Sequence, residues 1–244
     1  MSTTREQIEG ISLQNLMLQM ALLCMMFYLW SSPALHPIKL MVVLFHEMSH
    51  GLMAILTGGD VVSIVITSDE GGACETAGGL ELAIISAGYL GAMFVGGMIL
   101  YLSRAKHVVP VVYGMLTLVL VAAVATVLED DYSRTFASCL AGAFIFLGFV
   151  LPAGWGAIFL RAIGTFACVY SLFDIYWDVL AEREGPSTFN DAVAFSEITG
   201  FQPQAVGMAW MLASVVFFLV VLKFALTAEP DGSPSQGHGQ PASV

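Results

Sequence analysis

Long apolar runs, separated by short polar segments or by segments rich in glycine and proline, make up most of the chain. Runs of about 18 apolar residues are long enough to cross a bilayer as helices. Judged by length and flanking helix breakers, the pattern predicts six or seven spans. Their bounds are roughly 13–30, 37–57, 81–102, 108–128, 135–151, 155–180 and 205–226. The count depends on Pro152, which either separates two spans or kinks one long helix.

Composition agrees with a membrane protein. Of 244 residues, 57% are hydrophobic and 11% charged, and the mean hydropathy is +0.82. No alternating strand pattern repeats often enough to indicate a barrel, so the predicted fold is all-α, a polytopic helical bundle with the lipid bilayer as its surroundings. The net charge of -11 argues against nucleic acid as a partner. These features predict a multi-pass integral membrane protein without indicating which membrane holds it.

A single membrane-embedded domain, residues 1–227, accounts for the apolar part of the chain. The remaining segment, 228–244, is rich in Gly, Pro, Ser and Gln. Such a segment cannot bury enough apolar surface to offset the entropy lost on ordering, so it is predicted to be a disordered tail.

The stretch "LFHEMSHG" places ionisable groups within an apolar helix. His46 and His50 are four residues apart, so they share a helix face and both reach one metal ion. Glu47 lies beside them. In this H-E-x-x-H arrangement two histidines hold zinc and the glutamate takes a proton from a water molecule. The pattern predicts one zinc ion per chain with Glu47 as the catalytic base.

A catalytic zinc site commonly takes three protein ligands, so one more is expected from elsewhere. The segment "YSLFDIYWDVL" offers Asp174, with Asp178 as the alternative, four residues apart on one helix face. Carboxylates at membrane depth face the protein interior by default. Further along, "NDAVAFSEITG" predicts a short helix that Asn190 or Asp191 caps and Gly200 ends. Asp174 is therefore the predicted third ligand, and a helix cap formed by Asn190 or Asp191 is the preferred interpretation of the later segment.

Several motifs together resemble the site-2 protease family of membrane zinc metallopeptidases, in its B-type-like branch. The likeness runs from "LFHEMSHG" through "LTGGDVVSI", "DEGG" and "GYLG" to "SLFDIYWD" and "NDAVAFSEITG". It implies intramembrane proteolysis of transmembrane protein or peptide substrates, with His46 and His50 as zinc ligands and Glu47 as general base. The family places its aspartate before a glycine, whereas here Ile175 follows Asp174. The chain therefore departs from the family's pattern at Asp174, the predicted third zinc ligand.

The resemblance also implies a short irregular or β-like element after the metal-binding helix, close to the site. The segment "VVSIVIT" has the β-branched content for it. In the family such an element pairs with an unwound substrate segment. A simple connecting hairpin is the alternative interpretation.

Two other functions remain compatible with the residues. A catalytically inactive protease-like protein would bind client helices without cutting them, although such a protein has no need of Glu47 beside the metal. A transporter would use buried His and Asp groups as an ion pathway, but internal repeats and paired broken helices are then expected. We detect neither in the sequence.

Overall fold

The computed structural model describes residues 11–181 and 190–227. Within these ranges the protein is a bundle of eight α-helices with one small sheet, as predicted. The predicted tail, 228–244, lies outside the described residues. The helices are α1 (Leu13–Tyr28), α2 (His36–Leu56), α3 (Glu81–Leu102), α4 (Val109–Thr126), α5 (Asp131–Ile145), α6 (Ala153–Ile175), α7 (Asp191–Thr199) and α8 (Pro203–Leu226).

Six of the described helices are long and apolar enough to cross a membrane, namely α2 to α6 and α8. The count confirms the lower end of the predicted range. The remaining predicted span, 13–30, corresponds to α1, which has 16 residues and is therefore short for a bilayer core of about 30 Å. By length and composition these helices indicate an integral multi-pass membrane protein.

The helix ends before Pro152 and is not merely kinked there. Helix α5 continues as a π-helical turn, Phe146–Val150, and Leu151 then adopts an extended conformation with ψ 149°. Proline disfavours helical geometry in the residue before it and has no N–H to donate. Helix α6 begins immediately afterwards, at Ala153. Two separate helices therefore replace the single kinked helix that the sequence left open.

Helices α3 and α6 pack closely through small residues. A Cβ atom added at Gly96 would lie 2.7 Å from the Cβ of Ala167, and one added at Gly164 would overlap the backbone at Leu100. Because lipid tails are as apolar as leucine, membrane helices gain most from such close backbone approach. This contact fixes α3 at the centre of the bundle, where it also reaches α2.

A β-hairpin follows α2, which confirms the β-like element. Strand β1 (Asp60–Ile66) pairs antiparallel with β2 (Gly72–Ala77). The hairpin lies against α2, because a Cβ at Gly51 would meet both Val61 and Cys74. On its other edge β1 donates from Ile64 N to a carbonyl of the α4–α5 connection at 2.8 Å. The hairpin is thus held between α2 and that connection.

Glu70 fixes the tip of the hairpin. Its φ of 68° is left-handed, which is unusual for a residue other than glycine. Its carboxylate accepts from Lys39 Nζ and Tyr170 OH, each at 3.1 Å, and lies 3.3 Å from His36 Nδ1. Partial burial disfavours the charged form, but these contacts prevail and hold the pKa of Glu70 below its ordinary value. The tip is therefore tied to α2 and α6.

We expect acid to release this contact. The pKa of Glu70 is lower in the folded chain than its ordinary value of 4.5. The contacts of its carboxylate therefore stabilise the hairpin above pH 4.5, and this stabilisation is lost as the pH falls through the folded-state pKa. At neutral pH, Glu70→Gln should likewise accelerate amide hydrogen exchange in residues 67–72. Glu75→Gln is the matched control, since Glu75 is exposed on the same hairpin. Unchanged amide hydrogen exchange in the Glu70 variant would show that the contacts of this carboxylate do not hold the tip of the hairpin.

Candidate metal centre

His46 and His50 lie on one face of α2, as the spacing predicts. Pro37 occupies the first turn, where a missing N–H costs nothing, and Gly58 follows the helix with a φ of 88°. The two imidazole rings are 4.7 Å apart between centroids. Both are largely buried, with 12% and 9% of their side chains exposed. The helix therefore presents two adjacent imidazoles to the protein interior.

Asp191 meets these histidines from α7. The side chain of Asn190 caps this helix by accepting from Val193 N at 3.0 Å, and Gly200 ends it with a φ of 77°. Asn190 also donates to the carbonyl of Asp178 at 2.6 Å, which ties α7 to the end of α6. Because Asn190 supplies the cap, the Asp191 carboxylate is left available for the histidines. Of the two residues predicted as possible caps, Asn190 is the one that caps the helix, and Gly200 ends it as predicted.

The three side chains converge on one point. Asp191 Oδ2 lies 3.1 Å from His46 Nε2 and 3.3 Å from His50 Nε2. This oxygen is buried and lies within ion-pair distance of both nitrogens. Ligand atoms that point at a common cation have this arrangement. In the described part of the chain these residues form the group whose donor atoms, all within 4.8 Å of one another, could hold a metal ion.

The contacts around the histidines suit metal binding. His50 Nδ1 lies 2.6 Å from the carbonyl oxygen of Ile84 and donates to it, which leaves Nε2 free. The ring of Tyr89 packs edge-on against His46, with centroids 4.6 Å apart. Burial disfavours a charge on Asp191, but its contacts with both histidines hold the pKa of this carboxyl well below its usual range. With both imidazoles deprotonated at Nε2, the group would offer one anionic and two neutral donors, a set that zinc accepts.

Glu47 is buried beside this group, with 7% of the residue exposed, but does not belong to it. The first residue of β2 lies against its carboxyl group, because a Cβ added at Gly72 would lie 2.5 Å from Glu47 Oε1. Only glycine fits there without displacing the carboxylate. The hairpin therefore covers Glu47 on one side.

A family model for Peptidase M50B-like proteins matches residues 19–221. The chain belongs to this family. The matched range holds both histidines, Glu47 and Asp191, and it agrees with the resemblance to site-2 proteases seen in the sequence. No curated protein and no solved structure matches the chain significantly.

In this M50B-like chain the two predicted carboxylates lie near the three-residue group but outside it. Asp174 belongs to α6, and Asp178 belongs to the π-helical turn that follows α6, Tyr176–Leu180. Asp174 is close enough for its charge to act on His46. Asp178 Oδ2 accepts from Tyr89 OH at 3.3 Å, so it supports the ring that packs on His46. The geometry favours Asp191 over Asp174 as the third ligand, and the role of Asp174 stays a prediction. One feature of the sequence could have indicated Asp191. The neighbouring Asn190 can cap the helix by itself, which leaves the carboxylate of Asp191 available for another role.

The "GYLG" segment of the M50B-like chain brings α3 against the face of α2 that carries His46 and His50. A Cβ at Gly88 would overlap the Nε2 atoms of both His46 and His50. Gly91 lies equally close to Ser49, where an added Cβ would be 2.5 Å from the serine Cβ. These glycines allow the two backbones to approach, and their effect is to close the site on the α3 side.

We expect Gly88→Ala to impair metal binding, because its methyl group would occupy the space of the two ligand nitrogens. Zinc affinity should fall by roughly the 10- to 100-fold typical of losing a ligand's supporting partner. Competition with a chromophoric chelator measures it. Gly142→Ala is the control, because a Cβ at Gly142 meets nothing within 4 Å. Equal affinities in both variants would show that Gly88 does not limit the site.

Proposed function

We propose that the chain is an intramembrane zinc metalloprotease that hydrolyses peptide bonds in or near transmembrane segments of other proteins. The observation that carries this proposal is the position of Asp191 Oδ2 between the Nε2 atoms of His46 and His50, next to the buried Glu47. Membership of a peptidase family and the apolar helices support the same reaction class.

The donor set fits zinc. Two imidazole nitrogens and one carboxylate oxygen, contributed by α2 and α7, leave one position open in a tetrahedral site, as catalytic zinc sites do. When bound, zinc polarises the scissile carbonyl and makes a water molecule more acidic. Asp191 also neutralises one of the ion's two charges in an environment where an unpaired charge is costly.

The chain's own residues provide the proton transfers. Glu47 lies one residue from His46 and is not a ligand in the proposed site, so its carboxylate is free to accept the proton of the attacking water. It then passes that proton to the leaving amine. Its burial against Gly72 holds the carboxylate in place and keeps bulk water from that side.

Strand β2 offers a place for the substrate. Among the described residues β2 pairs with β1 alone, so its outer edge carries unpaired backbone groups. A helix must unwind before its carbonyl groups become accessible, and an extended segment then pairs readily with such an edge. Since β2 begins at Gly72, against Glu47, a segment added there would pass close to the base.

Cleavage by purified protein tests the proposal. Full-length chain reconstituted in vesicles should release a fragment from a labelled substrate span that contains helix-weakening Gly, Asn or Pro. A membrane-permeant chelator should stop this release, and added zinc should restore it. Binding of client helices without cleavage of any in a broad panel would replace the proposal by a client-binding role.

A further inference from the structure

A second polar site lies at the ends of four helices, away from the metal centre. A cavity of about 730 Å³ is bordered by the start of α1, the end of α3, the start of α6 and the end of α8. Among the described residues that line it, three are basic, Arg104, Lys106 and Arg161, and none is acidic. The whole chain has eight Lys and Arg against nineteen Asp and Glu, so this concentration of positive charge runs against its composition.

Arg161 is a buried cation without a counter-ion among the described residues. Only 5% of it is exposed. Its guanidinium donates to Gln19 Oε1 at 3.0 Å, to the side-chain and backbone oxygens of Asn15 at 3.2 and 3.3 Å, and to the carbonyl of Ala225 at 2.9 Å. All four acceptors are neutral. Buried charges in proteins are ordinarily paired, so this one leaves a positive potential in the cavity.

Arg104 adds to that potential. Its Nε atom is buried and has no hydrogen-bond partner within residues 11–181 and 190–227, and its guanidinium carbon lies 5.7 Å from the centroid of Tyr101. It is close enough to Arg161 for the two charges to act on each other. Two like charges held near one another, one with an unused donor, are stabilised by an anion placed between them.

The location indicates where the anion comes from. Helices α3, α6 and α8 are candidate spans, so the cavity lies where their ends reach the membrane surface. Trp155 lines it and is 58% exposed, as is typical of aromatic side chains at the headgroup level. Basic pockets between membrane helices at this level suit phosphate-bearing lipid headgroups. We propose that this cavity binds the phosphate group of an anionic phospholipid.

Lipid-dependent stability of the delipidated full-length chain in detergent tests the proposal. Phosphatidylglycerol should raise the thermal midpoint in a saturable manner, because a ligand of the folded state stabilises it by mass action. Phosphatidylcholine at the same concentration should not. Inorganic phosphate is the third probe. If it stabilises the chain as strongly as phosphatidylglycerol, the occupant is a free anion and the lipid assignment is overturned.

Two variants locate the binding. Arg104→Gln should weaken the affinity for phosphatidylglycerol about five-fold, since each basic residue near a membrane surface contributes about that factor. Lys223→Gln is the matched control: Lys223 is exposed in the last turn of α8 and does not line the cavity. Its affinity should be unchanged. Equal weakening by both variants would indicate diffuse attraction to the lipid surface and overturn the site, as would the absence of any shift in the wild type.

Discussion

Glu47→Gln should leave the metal bound and remove the proteolysis that we propose. The substitution is nearly isosteric, so the packing against Gly72 is retained. An amide cannot accept the proton of the attacking water, and losing a general base typically costs 10²- to 10⁴-fold in rate. Fragment release from a reconstituted substrate span measures the rate, and elemental analysis of the same preparation should still find about one zinc per chain.

Two comparisons make this result specific to the base. Glu75→Gln removes an exposed carboxylate from the adjacent hairpin and should cleave at the wild-type rate. Equal cleavage by wild type and the Glu47 variant would point to a contaminating protease. Loss of zinc from the Glu47 variant would make Glu47 a ligand and would contradict the role proposed for it.

Asp191→Ala should lower zinc affinity more than Asp174→Ala does. Asp191 Oδ2 lies within 3.3 Å of the Nε2 atoms of both His46 and His50, whereas Asp174 lies outside the group that could hold a metal. Loss of a supporting partner costs 10- to 100-fold in metal affinity, so loss of a ligand should cost more than about 100-fold. Chelator competition on the purified variants gives the two constants.

The matched control is Asp178→Asn, which changes a carboxylate that contacts Tyr89 instead of the histidines. It should lower zinc affinity by no more than about 100-fold, as expected of a supporting residue. A larger loss in the Asp174 variant than in the Asp191 variant would restore Asp174 as the third ligand. Zinc-free wild type after loading would remove the metal site altogether.

Local patterns were sufficient for much of this protein. The apolar runs predicted the helices, because a bilayer requires about 20 apolar residues per span whatever their neighbours are. The spacing of His46 and His50 predicted adjacent imidazoles, because helix geometry alone places residues four apart on one face. The β-branched segment after α2 likewise predicted a strand, which forms as β1.

Contacts between distant segments were decided by tertiary packing alone. The sequence favoured Asp174 as the third ligand and gave Asp191 a place at a helix cap, because local patterns do not show which carboxylate reaches the histidines. Which carboxylate reaches the histidines depends on where α7 lies relative to α2. The hydrogen bond between Asn190 and the carbonyl of Asp178 helps to fix that position. The same holds for Gly88, whose role at the histidines depends on the approach of α3 to α2. Helical periodicity specifies which face of its own helix a residue occupies. Which neighbouring element contacts that face is determined by the packing of the whole bundle.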